Sequence, residues 1–216
     1  MLAVDTTAVL GSVAIVGGGE RTIAETELRA PDGYDQLLFD EIGALLKRSG
    51  LTPRDIDLFA SASGPGSFTG VRVGLTAMKG LAAALDKPAI GISNLRAMAA
   101  LAEGELRTPI LDARRGEIFG AVYNADGRCV IEETVAPMRD WLARIPAEVT
   151  FVLTGAGPFD AALPPDARRS HVGGALAATI GRIAASELVS GRQLHPAAVD
   201  ANYVRRADAE SKWTDR

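Results

Sequence analysis

Ala62-Ser63-Gly64-Pro65-Gly66-Ser67-Phe68-Thr69-Gly70-Val71-Arg72-Val73-Gly74-Leu75 is the segment on which the reading of this sequence turns. Leu58 to Ala62 reads as a short buried strand, and beyond the glycines the apolar positions recur at helical spacing to about Leu85. The segment is therefore a tight strand-to-helix turn, with glycines permitting the bend and Pro65 stiffening it. Two chemistries can live on such a turn. A serine nucleophile would need G-x-S-x-G and a base, whereas Ser67 lies outside that pattern and the chain has only His171 and His195. A phosphate loop would need a lysine after its last glycine, where Val71 stands. The structural role is the stronger reading.

The helix that follows has unusual faces. Gly70, Gly74, Ala77 and Leu81 share one side, Val71, Leu75, Met78 and Leu85 another, and Arg72 with Lys79 form a thin polar strip. A glycine inside a helix costs about 1 kcal/mol relative to alanine, so Gly74 and Gly80 need a compensating reason. Close approach of a neighbouring helix is the simplest one, and a helix apolar nearly all round is expected to be buried on two sides. One of those sides is expected to meet a partner subunit. A second amphipathic helix is expected from Tyr34 to Ser49, with Leu37, Leu38, Ile42, Leu45 and Leu46 on its apolar face.

Strands are expected at Leu2 to Val4, Ser12 to Val16 and Thr22 to Leu28, with Gly17-Gly18-Gly19 as a turn. Ala89 to Ile92 and a helix from Asn94 to Leu101 complete a first lobe. After Glu103-Gly104-Glu105 the pattern restarts, with strands near Thr108 to Leu111 and Glu117 to Asn124 and a hairpin turn at Asn124-Ala125-Asp126-Gly127. Further strands at Cys129 to Val135 and Phe151 to Thr154, then a helix from Ala175 to Ser190, are assigned to the second lobe. The expected division is 1–104, 105–195 and an extended tail, 196–216. Both lobes open with a strand, an aspartate and a hairpin, at Asp5 and Asp112, which suggests a duplicated α/β architecture. These two carboxylates are the candidates for acid–base chemistry, although aspartate is also ordinary turn chemistry.

The 216 residues, 47% of them hydrophobic, suffice for a sizeable core. A net charge of −4 argues against a nucleic-acid binder, and the basic pairs Arg114-Arg115, Arg168-Arg169 and Arg205-Arg206 read as solvated surface. One cysteine, Cys129, offers no disulfide, and two histidines 24 positions apart offer no metal motif. Neither a signal peptide nor a run of about 20 apolar residues is expected, so a cytoplasmic protein with no membrane association is the default.

The glycine-rich segment, continuing through Lys79-Gly80-Leu81, resembles the signature of the TsaB (YeaZ) family. Leu2-Ala3-Val4-Asp5-Thr6-Thr7, Gly11-Ser12-Val13-Ala14, Asp112-Ala113-Arg114-Arg115-Gly116-Glu117-Ile118-Phe119 and Tyr203-Val204-Arg205 extend the resemblance over nearly the whole chain. It implies the two-lobed α/β fold of actin, Hsp70 and sugar kinases, each lobe a mixed β-sheet with helices. It also implies a non-catalytic role, as dimerisation partner of the TsaD transferase, with the ATPase TsaE in the same complex, in making threonylcarbamoyladenosine on tRNA.

In TsaD two histidines four residues apart hold the metal; Asn94 and Met98 stand at those places here. No cofactor or metal is expected. Asp5, Thr6, Asp112, Arg114 and Gly155, in the eroded run Gly155-Ala156-Gly157, are vestigial nucleotide-site candidates. The resemblance puts the partner contact on the two helices, at Leu37, Leu38, Ile42, Leu45, Gly70, Val71, Gly74, Ala77 and Met78. It also implies a homodimer when the chain is alone, and tRNA reached only through the complex. The competing readings are a small-molecule kinase of the same fold, a metallopeptidase, or a free-standing homodimeric binding protein.

Overall fold

The computed structural model describes residues 1–18, 21–30, 33–155, 159–191 and 195–205. Its strands form two five-stranded sheets. In the first, β1 (Leu2–Asp5), β2 (Leu10–Val16), β3 (Thr22–Arg29), β4 (Phe59–Ala62) and β5 (Ala89–Ile92) are ordered β3-β2-β1-β4-β5. The second contains β6 (Leu106–Arg114), β7 (Glu117–Asn124), β8 (Cys129–Pro137), β9 (Thr150–Leu153) and β10 (Arg168–His171), ordered β10-β9-β6-β7-β8. Written from the other edge, the second order repeats the first. The pairing repeats too: β1 is antiparallel to β2 and parallel to β4, as β6 is antiparallel to β7 and parallel to β9. The duplication suggested by the two aspartate-bearing strand ends extends through all five strands.

Alternation along the strands sorts the helices of the first sheet. Leu2, Val4, Val13 and Ile15 join one hydrophobic cluster with Leu38, Ile42 and Leu45 of α1 (Leu37–Arg48) and Val71, Leu75 and Met78 of α2 (Phe68–Leu85). Residues of the opposite parity face α5 (Ala177–Val189). A Cβ added to its Gly181 would lie 2.6 Å from Val16 and 3.3 Å from Ala3, and the Ala177 amide donates to Ser12 Oγ at 3.0 Å. The sheet is thus covered on both faces, which suits its parallel half.

The position of α5 changes the division of the chain. One compact unit is Met1–Ala97 with Gly173–Ala201, and the other is Met98–Val172 with Asn202–Arg216. The expected boundaries 1–104, 105–195 and 196–216 follow chain order and so place α5 in the wrong lobe; its small-residue face fits against β1 and β2. The tail divides likewise. Val199 belongs to the first core and its carbonyl accepts from Lys79 Nζ at 2.7 Å, whereas Arg205 donates to Ala113 O at 2.7 Å in the second unit.

The second unit has its own core of Ile110, Ile118, Val122, Trp141, Phe151 and Leu153. Trp141, on the short α4 (Met138–Leu142), is fully buried and donates its indole N–H to Thr108 Oγ1 at 3.2 Å. The expected turn after Asn124 is present, with Gly127 at φ 75° and the Asn124 side chain accepting from the Arg128 amide. Gly19, Ala156, Gly157, Arg206 and the tail from 206 to 216 lie outside the described residues. Among the described residues no helix is long and apolar enough to cross a membrane.

The glycines of α2 divide into two kinds. A Cβ at Gly70 would sit 1.9 Å from the Thr6 carbonyl oxygen, and one at Gly74 would sit 2.6 Å from Thr6 Oγ1 and 2.8 Å from Ser61 Oγ. Around exposed Gly80 there is open space. Gly70→Ala is therefore expected to lower stability by about 1–3 kcal/mol or more. Gly80→Ala should raise it by about 0.5–1 kcal/mol. Urea unfolding of the two variants measures both, and an unshifted midpoint for Gly70→Ala would mean that the close approach is absent.

Candidate functional site

Strand β1 ends on Asp5, and the next two residues turn its backbone into the groove of α2. Thr6 Oγ1 donates to the Gly70 carbonyl at 2.7 Å, inside the notch left by Gly70 and Gly74. Thr7 accepts the Ser67 amide on its carbonyl at 2.7 Å, while the Ser67 hydroxyl caps α2 by accepting from the Gly70 amide. Asp5 Oδ1 accepts from both the Thr7 amide, at 2.9 Å, and the Thr7 hydroxyl, at 2.7 Å.

A second layer ties this turn to the helix α3 (Asn94–Ala100). The Asn94 side-chain amide donates to Thr7 Oγ1 at 2.7 Å, its carbonyl oxygen accepts from the Gly64 amide at 3.0 Å, and the Asn94 amide donates to Gly64 O at 2.9 Å. Asn94 is 2% exposed and Met98, four residues on, is fully buried. One side chain completes a hydrogen-bond network and the other fills space.

Asp5 is 1% exposed, and its second oxygen, Oδ2, has no hydrogen-bond partner among the described residues. Burial pushes its carboxyl above the ordinary value of 3.8, against the Thr7 hydrogen bonds and the Asn94 amide, which favour the ionised form. Tyr34 closes the other side. Its hydroxyl lies 2.7 and 2.9 Å from the carbonyl oxygens of Ala8 and Val9, and burial together with the Asp5 charge pushes it up to about 12. Gly11 makes room for it, since a Cβ there would fall 2.6 Å from the Tyr34 hydroxyl and 2.5 Å from the Asp5 carbonyl oxygen.

Asp112, the corresponding residue of the second sheet, is exposed. Its Oδ1 accepts from the Arg114 amide at 2.7 Å, and its Oδ2 lies 3.3 Å from the Arg114 guanidinium. The paired aspartates of the sequence therefore have unlike surroundings: one is sealed in packing and one supports an exposed turn. Gly155, two residues beyond the end of β9, has φ 84° and open space around it. Among the described residues no group of three His, Cys, Asp or Glu side chains could hold a metal ion.

Of the nine residues expected to meet a partner, all but half-buried Leu37 are buried in the first unit. Leu38, Ile42, Leu45, Val71, Ala77 and Met78 belong to its core, and Gly70 and Gly74 receive the strand end rather than a helix. The expected second burial of α2 is not met among the described residues, where Thr69, Arg72, Thr76, Gly80, Ala83 and Ala84 are exposed. On α1 the outward face carries Phe39, 53% exposed, with Asp40, Gly43 and Lys47. Sequence reasoning passed over Phe39, although a phenylalanine on the polar side of an amphipathic helix is a legible signal.

Over residues 30–209 the chain matches the family model described as TsaD: tRNA N6-adenosine threonylcarbamoyltransferase. The chain belongs to this family. Within it, the chain is 32% identical over 147 residues to the tRNA threonylcarbamoyladenosine biosynthesis protein TsaB of Bacillus subtilis, a match covering 66% of this chain and 64% of that protein. The Escherichia coli TsaB is 37% identical over 145 residues, covering 64% of this chain and 62% of that protein. The aligned part of the chain thus spans somewhat under two thirds of the length of either relative. The solved structure of YeaZ from Pseudomonas aeruginosa superposes with a TM-score of 0.80 at 26% identity, covering 94% of this chain and 98% of that one. The fold is the actin-like α/β fold of the TsaB and TsaD proteins.

The sealed carboxyl has a testable signature. Because the folded state holds the Asp5 proton more tightly than the unfolded chain, stability falls as pH rises from 3.8 through the raised folded value. Below 3.8 both states are protonated and the penalty vanishes. Asp5→Asn removes this titration, so its stability relative to wild type should improve as pH climbs through that window. Parallel stability–pH curves for the two proteins would show that Asp5 is not buried in this way.

Proposed function

We propose that this chain is a non-catalytic subunit that binds and supports a TsaD-type transferase in making threonylcarbamoyladenosine on tRNA in the cytoplasm. A TsaE-type ATPase completes the assembly, and the chain alone forms a homodimer. The observation that carries the reading is the use made of the strand-end residues. Asp5 Oδ1, Thr6, Thr7 and Asn94 are engaged with one another and with the backbone of the glycine-rich segment, and Met98 is buried. Asp112, Arg114 and Gly155, the other nucleotide-site candidates, have no comparable enclosure.

The surface that remains for a partner is the outward face of α1 and α2. Gly43 and Gly80 are exposed helix-interior glycines with open space around them, and neither has a packing reason among the described residues. A facing helix laid against them would approach closely and cover Phe39. Leu37, Leu38, Ile42, Leu45, Gly70, Val71, Gly74, Ala77 and Met78 support that surface from behind, by seating both helices on the sheet. Related helices on a TsaD-type partner would let one patch serve both homodimer and heterodimer.

Reconstituted tRNA threonylcarbamoylation with and without the chain tests the role. Product should depend on the chain, and the chain alone should hydrolyse neither ATP nor peptides. Phe39→Asp and Gly80→Leu should each weaken association with the transferase about tenfold, roughly 1.4 kcal/mol, while the monomer stays folded by circular dichroism. Unchanged sedimentation and affinity in both variants would place the interface elsewhere.

A further inference from the structure

We propose that residues 199–205 are a strap that couples the two units, with Lys79 as its hold on the first and Asn202 and Arg205 as its hold on the second. The chain passes between the units at Ala97–Met98, Val172–Gly173 and Ala201–Asn202, and the strap spans the last of these passages. Its first half is seated in the first unit. Pro196–Ala198 form a tight turn in which the Ala197 amide donates to His195 Nδ1 at 3.1 Å. Val199, 7% exposed, joins the first core together with partly buried Ala201, and its carbonyl accepts from Lys79 Nζ at 2.7 Å. Because Lys79 belongs to α2, the strap is tied to the helix on which the first unit is built.

The next residue already belongs to the second unit. The Asn202 side-chain amide donates to Glu133 Oε2 at 2.5 Å, and Glu133 Oε1 accepts from the Tyr123 hydroxyl at 2.6 Å. Arg205 donates to Ala113 O at 2.7 Å, pairs with Glu117 and lies 5.8 Å from the centre of the Phe119 ring. Hydrogen bonds to carboxylates are among the stronger ones, and Ala113, Glu117 and Glu133 stand on β6, β7 and β8, so the hold is spread over three strands. Only Asp200 and Ala201 separate Val199 from Asn202. Three residue steps reach no more than about 11 Å when fully extended, which leaves little slack between the two sets of anchors. A tail held at one end frays from the other without consequence for the fold. A short segment held at both ends carries a displacement of one anchor to the other.

Native-state hydrogen exchange on the full chain tests the coupling, read at amides of β1 and β4 in the first unit and of β6 and β9 in the second. In the wild type the two sets should report one common opening free energy. Asn202→Ala/Arg205→Ala cuts the strap at its second hold, and protection of β6 and β9 should fall at least tenfold below that of β1 and β4. Lys79→Met is the decisive variant, because it touches only the first unit. It should produce the same separation of the two sets, whereas a purely local role of Asn202 and Arg205 leaves β6 and β9 unmoved by it. Lys79→Arg, which keeps a donor for Val199 O, should restore common protection, and Arg139→Ala, at an exposed arginine of the second unit, should match wild type. Separate opening free energies in the wild type overturn the proposal, as does common protection retained in either cut variant.

Discussion

Thr6 lying in the notch between Gly70 and Gly74 is the contact on which the first unit is built. It brings the end of the central strand within bonding distance of a helix backbone, closer than any residue with a Cβ at position 70 would allow. Once α2 is held there, Val71, Leu75 and Met78 are aimed at Leu2 and Val4, and α1 completes the same hydrophobic layer. The opposite parity of the strands is left to α5. The glycine-rich segment is thus explained by a single requirement, that a turn, a strand end and a helix start share one small volume.

That requirement also decides what the strand end can do. A carboxylate beside threonines and an asparagine, next to a glycine-rich turn, has the composition of a reaction centre. Here each partner is used up: Thr7 binds Asp5, Asn94 binds Thr7 and Gly64, and Thr6 binds Gly70. Burial raises the proton affinity of Asp5, one of whose oxygens has no donor among the described residues, at an electrostatic cost. Polar chemistry has become internal support, and the proposed partner surface lies on the outward faces of α1 and α2.

Much of the fold was legible because it is local. Helical periodicity located α1 and α2, alternation located β1, β2, β3 and β7, and Asn124 to Gly127 announced a hairpin. Position in space was not legible. Small residues four apart, Gly70 and Gly74, signal close approach without naming what approaches, and the answer was a strand end rather than a partner helix. Ala177–Val189 follows β10 in sequence yet packs on the first sheet, because its glycine and alanines fit over Ala3 and Val16. Arg168-Arg169-Ser170-His171 was missed as a strand because an edge strand of four polar residues carries no hydrophobic alternation. Of the candidate site, Asp5 and Asn94 were legible as residues, but their mutual engagement through Thr7 is a long-range fact.

The most direct test of this account is native-state hydrogen exchange at the amides of Thr7, Gly64, Ser67 and Asn94. If the strand end is a sealed structural knot, all four should exchange only through global unfolding, with protection matching the most stable strands and unaffected by added ATP. Exchange of these amides through a local opening well below the global free energy, or new protection when ATP is added, would mean that the strand end opens to bind ligand. That result would contradict the account.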